Sequence, residues 1–160
     1  MDDVAIARAI HVLAVIVWIG GVAMATSVIL PLTRKRDRPI EERLAFFESI
    51  ESRFIWQARI ATILVALSGF YMVARFDLWD RFQSIDFWWM HAMVAVWLIF
   101  TIILFIAEPL IVDRIVHKKV KAGDESVFTR LQVVHWVLLA LSLITAFAAV
   151  AGSHGMLLAP

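Results

Sequence analysis

The residues of this sequence best suited to chemistry are two histidines within long apolar stretches. His11 and His91 each lie about seven to eight residues from the middle of their stretch, so two helices would carry them at the same depth on one side of a bundle. A low-spin haem b is held by two neutral imidazoles from different helices, one on each face of the porphyrin. The spacing therefore predicts a haem b whose iron is bound by His11 and His91.

Three neighbouring residues are suited to the periphery of such a haem. Arg8 precedes His11 by three residues on the same helix face, and Arg75 ends the second stretch, so each could pair with a propionate. Trp18 lies seven residues after His11 on the same face and would pack against the ring. The alternative is that the histidines only hydrogen-bond within a bundle, the arginines extend toward the membrane interface and the tryptophan fills space.

A second polar group, toward the opposite side of the bundle, consists of Arg59, Glu108 and His135. An ionisable side chain in hydrocarbon costs at least ~2–3 kcal/mol on insertion scales, so it needs a partner or a function. We expect an ion pair between Arg59 and Glu108, with His135 hydrogen-bonded nearby. The alternatives for this group are a quinone or proton-transfer site, or a second haem.

Copper is a competing cofactor on the side of the bundle that carries His11 and His91. Histidine together with thioether sulfur is a suitable environment for Cu(I), because soft ligands select that ion. Methionine also serves as flexible apolar filler, and that alternative stays open. The candidate ligands are His11, His91, His154, Met72, Met90, Met93 and Met156.

Four apolar stretches would position these residues. Of 160 residues, 62% are hydrophobic and only 18% are charged, and charges are absent from runs 9–33, 60–74, 87–107 and 131–160. A transmembrane helix needs ~20 predominantly apolar residues. The sequence therefore predicts an all-α integral membrane four-helix bundle in a single domain, embedded in the lipid bilayer, with spans at about residues 7–32, 54–75, 87–110 and 130–152.

The basic residues predict which way the bundle faces. Of the 15 lysines and arginines, six lie between the first and second spans and five between the third and fourth. The positive-inside rule then places both connections in the cytoplasm and both termini outside (N-out/C-out), in a bacterial cytoplasmic membrane. Apolar residues at helical spacing over 40–54 predict cytoplasmic helical extensions. The basic residues concerned are Arg34, Lys35, Arg36, Arg38, Arg43, Arg53, Arg114, Lys118, Lys119, Lys121 and Arg130.

Composition excludes several classes of function. The chain has no cysteine, which rules out disulfides, iron–sulfur clusters and covalent c-type haem attachment. The net charge is +1 with no basic stripe, which argues against nucleic acid as a partner. Nucleotide-binding glycine motifs, phosphate loops and hydrolase triads do not occur, so redox chemistry would need a bound cofactor. A homodimer is compatible with the sequence but not demanded by it.

Four stretches of the chain resemble the CopD-like and HemJ-like small membrane proteins, the latter linked to protoporphyrinogen oxidation. The resemblance extends over nearly the whole chain, although each motif is short. The stretches are Ala9-Ile10-His11 with Trp18-Ile19-Gly20-Gly21, Phe47 through Glu51 with Arg53, Phe54 to Thr62 and Ser68-Gly69, Trp88-Trp89-Met90-His91, and Phe128-Thr129-Arg130-Leu131.

The resemblance implies a four-helix membrane protein that binds haem b, with His11 as a ligand and His91 at the second functional position. The chain departs from HemJ-like proteins at Met93, where they carry lysine, and at Gln132 to His135, where they carry an Asn-x-x-Pro-like entry. These departures argue against porphyrinogen oxidation and leave haem binding as the expectation. We expect an electron-transfer protein or haem-dependent oxidoreductase acting near the outer face, with quinone or a redox protein as partner. A copper-handling protein and a structural accessory subunit are the alternatives.

Overall fold

A computed structural model describes the backbone of residues 2–155 and the side chains of residues 3–110 and 114–155. All regular structure in this part of the chain is helical. Four helical stretches are long and apolar enough to cross a membrane. The prediction of an all-α chain with four apolar spans is therefore confirmed. The spans are Asp3–Thr33, Ile40–Arg75, Ile85–Leu110 and Ser126–Ser153.

Two of the spans contain π-helical segments, and two short 3₁₀ turns lie between α3 and α4, the second of them at the start of the third span. The first span is interrupted by a π segment after its α-helical part, and the third continues as a π segment around Pro109. The elements in chain order are α1 (Asp2–Met24), the π segment Ala25–Ile29, α2 (Leu30–Thr33), α3 (Ile40–Arg75), 3₁₀ turns at Trp79–Gln83 and Ile85–Phe87, α4 (Trp88–Ile102), the π segment Ile103–Val112, α5 (Asp113–Lys121) and α6 (Ser126–Ser153).

The second helix is longer than the predicted span because it includes the predicted extension. α3 runs without interruption for 36 residues, and at ~1.5 Å per residue it exceeds the ~30 Å thickness of a hydrocarbon core. Its first turns are anchored by Leu44, which packs with Val116 of α5 and Val127 of α6. The helical character of the segment before the second span is thus confirmed.

The interior of the bundle is apolar, and so is most of its outer surface. Trp18 of α1, Val65 of α3 and Phe100 of α4 lie in one buried cluster. On the outward side of α1, Leu13 and Ile16 are 62% and 60% exposed. Contiguous apolar surface of this extent is unfavourable in water, so the exposed faces indicate contact with lipid.

Two glycines allow helices to approach each other closely. A Cβ at Gly21 would overlap the ring of Phe54, and a Cβ at Gly152 would lie 2.5 Å from the ring of Trp89. The missing side chains therefore make room for an aromatic ring at the α1–α3 contact and at the α4–α6 contact. Small residues serve this purpose in membrane helices, where close packing replaces the hydrophobic effect as the driving force.

The two ends of the bundle differ in charge. The basic end comprises residues 34–43 and 114–130, and Arg43 joins its two connections by an ion pair with Glu125 at 2.5 Å. The turn before α6 contains Gly123 at φ 69°, and hydrogen bonds from Ser126 and Lys119 lower the pKa of Asp124 to about 2. The opposite end, which we call the loop end, comprises residues 3–8 and 71–91.

Candidate functional site

His11 is held by α3 through one of its two ring nitrogens. Its Nδ1 lies 3.1 Å from the carbonyl oxygen of Val65 and 3.0 Å from Oγ of Ser68. The ring edge lies against Gly69, where a Cβ would approach Cε1 to 3.3 Å. The three α3 residues therefore form a clasp that fixes both the position and the orientation of the imidazole.

The clasp also determines the tautomer of His11. A carbonyl oxygen only accepts hydrogen bonds, so Nδ1 must carry the proton that is donated to Val65. The Ser68 hydroxyl donates to the carbonyl of Leu64 and is thus free to accept from the same Nδ1 proton. Nε2 consequently keeps its lone pair, and it has no hydrogen-bond partner among the described residues. A metal-binding histidine typically has this arrangement, with the distal nitrogen held by a backbone carbonyl.

Trp18 lies in the core, seven residues or about two helical turns from His11 along α1. Its side chain is 4% exposed, and its ring packs edge-to-face against Phe100 at a centroid distance of 4.7 Å. The indole Nε1 is buried without a hydrogen-bond partner within the described part of the chain. Because a buried donor normally finds an acceptor, this N–H indicates an unfilled interaction in the bundle interior. The structure thus buries Trp18 as a core residue.

His91 lies in a different environment from His11. Its side chain is exposed, its Nε2 lies 3.0 Å from the carbonyl oxygen of Phe82, and its ring contacts the Phe82 ring edge-to-face. Here Nε2 is the donor, so the lone pair lies on Nδ1. The described contacts do not join His91 to His11, and the 3₁₀ turns between α3 and α4 occupy the nitrogen that usually ligates iron.

The two arginines predicted to bind propionates are both at the loop end. Arg8 is exposed and makes no ion pair within residues 3–110 and 114–155. Arg75 is 58% exposed and lies 3.4 Å from Asp3, which also accepts a 2.7 Å hydrogen bond from Tyr71. Arg8 is thus available to an anionic ligand, whereas Arg75 already ties the start of α1 to the end of α3.

Arg59 and Glu108 form the expected ion pair. A guanidinium nitrogen of Arg59 lies 3.1 Å from the Glu108 carboxylate, and two of its nitrogens donate to the carbonyl of Leu104 at 2.8 and 3.1 Å. In the i→i+5 pattern of a π segment, that carbonyl would pair with residue 109, which is proline and has no N–H. Arg59 therefore satisfies both a carboxylate and a backbone oxygen left free by Pro109.

His135 is not connected to this pair. Its Nδ1 donates to the carbonyl of Leu131 in its own helix at 2.9 Å, and the described contacts do not link it to Arg59 or Glu108. Sequence reasoning missed its neighbour Gln132, which is 5% exposed and donates from Nε2 to the carbonyl of Thr26 at 2.6 Å. The signal was available, because Gln132 is an amide inside an apolar span and needs a polar partner there.

Two of the predicted copper-ligand methionines pack in an apolar cluster. Met90 is buried, and with Met93 it belongs to an apolar cluster around Trp89 and Ala148. His154 is exposed and donates to the carbonyl of Val150 at 2.8 Å, while Met156 lies outside the described residues. Among the described residues, His, Asp and Glu side chains form no group of three that could hold a metal ion. The packing of these methionines corresponds to the filler alternative.

The imidazole of His11 has the arrangement of a haem ligand, with Nδ1 held by a neighbouring helix and Nε2 without a hydrogen-bond partner among the described residues. The Nδ1 atoms of His135 and His154 also lie against carbonyl oxygens, but those carbonyls belong to residues four positions earlier in the chain. An apolar groove of about 570 Å³ also lies between α1 and α3, but His11 is not among its lining residues. No protein-family model, curated protein or solved structure matches the chain.

Proposed function

We propose that the chain is a membrane haem b protein in which Nε2 of His11 is an axial ligand of the iron. The observation that carries this proposal is the clasp on Nδ1, because it fixes the ring from a neighbouring helix and leaves Nε2 without a hydrogen-bond partner among the described residues. When bound, the haem supplies one-electron chemistry that the side chains of this chain do not.

The residues around His11 orient the ligand and exclude water. Val65 and Ser68 hold the Nδ1 proton, which makes the imidazole more basic at Nε2, and Gly69 leaves room for the ring. The buried N–H of Trp18 has no hydrogen-bond partner among the described residues, and a polar atom of a ligand that reached it would satisfy it. Apolar neighbours keep the site at low dielectric, which favours a neutral imidazole.

His91 remains the proposed second axial ligand. Ligation through its Nε2 requires loss of the hydrogen bond to Phe82, and its exposed side chain leaves the ring free to turn. Arg8 would pair with one propionate, and Arg75 would exchange its contact with Asp3 for the other.

The proposed setting is a multi-pass protein of the bacterial cytoplasmic membrane with the basic end in the cytoplasm. This orientation follows from the positive-inside rule, since residues 34–43 and 114–130 hold most of the basic side chains. The loop end would then face outward, where the haem would exchange electrons with quinone, a redox protein or an oxidisable substrate. Two copies associating as a homodimer would be compatible with the exposed small residues Ala9 and Gly20 of α1.

The test is the absorption spectrum of the detergent-purified protein produced with ample haem. We expect Soret and alpha bands that shift on reduction with dithionite, and their loss in His11→Ala. His135→Ala is the matched control, because that imidazole also donates Nδ1 to a carbonyl in the bundle, and it should keep the wild-type bands. Wild-type bands in His11→Ala would overturn the assignment of His11.

The same measurement decides the role of His91. If His91→Ala changes the low-spin spectrum to a high-spin one, the second ligand is His91. An unchanged spectrum would exclude that residue while leaving the His11 proposal intact.

Metal analysis completes the test, because a colourless protein containing stoichiometric copper would replace the haem proposal with copper handling. A colourless and metal-free protein would leave the structural accessory role.

A further inference from the structure

A small polar pocket lies at the basic end of the bundle, and none of the residues that form the clasp on His11 lines it. It lies between the α2–α3 connection and the first turn of α6, and its volume is about 90 Å³. One water molecule needs ~10–15 Å³ by this kind of measure, so the pocket has room for a small group of several heavy atoms. The lining residues are Arg34, Arg36, Arg43, Glu125, Phe128 and Thr129.

Arg43 is the most firmly held member of this pocket. Its side chain is only 4% exposed, one guanidinium nitrogen donates to Glu125, and another lies 3.4 Å from the carbonyl of Thr33. Its guanidinium stacks over the ring of Phe128 at 5.1 Å. The remaining donor, Nε, is buried and has no hydrogen-bond partner among the described residues. A buried cationic donor without an acceptor is unfavourable, so an acceptor that entered the pocket and reached this donor would relieve the cost.

The charged side chains around the pocket sum to a net positive charge. Three guanidinium groups face one carboxylate, which leaves three minus one, or two, positive charges. Glu125 is shared, since it lies 2.5 Å from Arg43 and 3.8 Å from Arg36, whereas Arg34 has no ion pair in the described part of the chain. The hydrogen bond from Arg43 lowers the pKa of Glu125, so the carboxylate stays charged at neutral pH.

We propose that this pocket binds a phosphate group, contributed by the headgroup of an anionic phospholipid or by a free phosphate ion. Planar guanidinium groups match the oxygens of phosphate in paired hydrogen bonds, and the pocket has the size of one such group rather than of a nucleotide. Its position supports the lipid as a source. It lies where the first span ends at Thr33 and the fourth begins at Ser126, which is the level of lipid headgroups.

The experiment measures the melting temperature of the full-length protein in a neutral detergent. Three additives are compared, namely a short-chain phosphatidylglycerol, a short-chain phosphatidylcholine, and inorganic phosphate with chloride at equal ionic strength as its reference. A ligand of the pocket at ~100 times its Kd should raise Tm by about 5–10 °C. A rise with phosphatidylglycerol alone assigns the pocket to a lipid headgroup, and a rise with inorganic phosphate as well assigns it to free phosphate.

The variants separate the pocket from general charge effects. Arg34→Gln combined with Arg36→Gln removes two exposed members of the pocket without touching the buried Arg43, so the fold should persist. This variant should lose the Tm rise, whereas Arg38→Gln, in the same connection but outside the pocket, should keep it. The proposal is overturned if none of the phosphate-containing anions raises Tm, or if Arg38→Gln loses the rise as completely as the double variant. Neither outcome depends on haem.

Discussion

The environments of Arg59 and His11 differ in how completely their polar groups are partnered. The Arg59 guanidinium donates to Leu104 and Glu108 and lies beside the rings of Trp56 and Phe105. His11 has a held Nδ1 but a bare Nε2, and the nearby Trp18 has a buried N–H without a partner.

This difference indicates which of the two groups is available to a ligand. A polar group whose hydrogen-bonding capacity is filled from within the chain can stabilise the bundle without anything else bound. A buried donor without an acceptor, such as the Trp18 N–H, is costly unless a ligand uses it. By this argument the Arg59–Glu108 pair is structural, because the carboxylate and the Leu104 carbonyl both receive donors from Arg59, whereas the surroundings of Trp18 and His11 form the candidate cofactor site.

The largest effect on stability is expected from removing one partner of the Arg59–Glu108 ion pair. Glu108→Ala leaves the half-buried Arg59 with only the Leu104 carbonyl, and we expect a loss of ~2–3 kcal/mol, below the usual range for a fully buried pair because both side chains are partly exposed. Thermal unfolding followed by circular dichroism measures it, with the exposed Glu41→Ala as a control that should lose less than ~1 kcal/mol, the contribution of a carboxylate in the first turn of a helix. The haem spectrum should not change. Loss of the haem bands without loss of stability would instead place a functional site at Arg59.

A smaller effect on stability is expected when a tryptophan with a hydrogen-bonded N–H and one without are each replaced by phenylalanine. Trp18→Phe keeps an aromatic ring against Phe100 and removes the N–H without a partner, so in the haem-free protein the relief of that donor offsets part of the packing lost with the smaller ring. Trp97→Phe is the matched control, because it loses the same volume and also the hydrogen bond from Nε1 to the carbonyl of Thr62 at 3.1 Å, and it should destabilise by ~1 kcal/mol more.

Haem makes this pair of variants more informative. If the Trp18 N–H interacts with bound haem, Trp18→Phe should weaken haem retention during dilution, while Trp97→Phe should not. Equal destabilisation of the haem-free protein by both variants would mean that the two indoles do not differ, and the argument from unfilled hydrogen-bonding capacity would fail for Trp18.

The sequence could predict the spans and the depth of their polar residues. Charge-free runs locate the four spans, since a charge in hydrocarbon is costly. Equal depth on neighbouring helices also sufficed to pair Arg59 with Glu108, because both side chains are long enough to reach each other.

The sequence could not predict the direction in which each residue points around its helix axis. His11 and His91 were expected at one level, but that expectation contains no information about the 3₁₀ turns that bring the carbonyl of Phe82 to His91. The need of Gln132 for a polar partner could be predicted, but the identity of that partner could not, because Thr26 lies in a π segment that regular helical periodicity does not reveal. Such contacts depend on backbone irregularities rather than on residue spacing.

The smallest predicted effect concerns the clasp on His11. Ser68→Ala removes one of two acceptors for Nδ1 and leaves the Val65 carbonyl, so we expect a loss of only ~0.5–1 kcal/mol. Ser142→Ala is the matched control, since its hydroxyl is buried and donates only to Leu138 within its own helix. Both variants should melt at similar temperatures, but only Ser68→Ala should alter the reduction potential of the bound haem, because only Ser68 contacts the proposed ligand. An unchanged potential would mean that the Ser68 hydroxyl packs against His11 without tuning it.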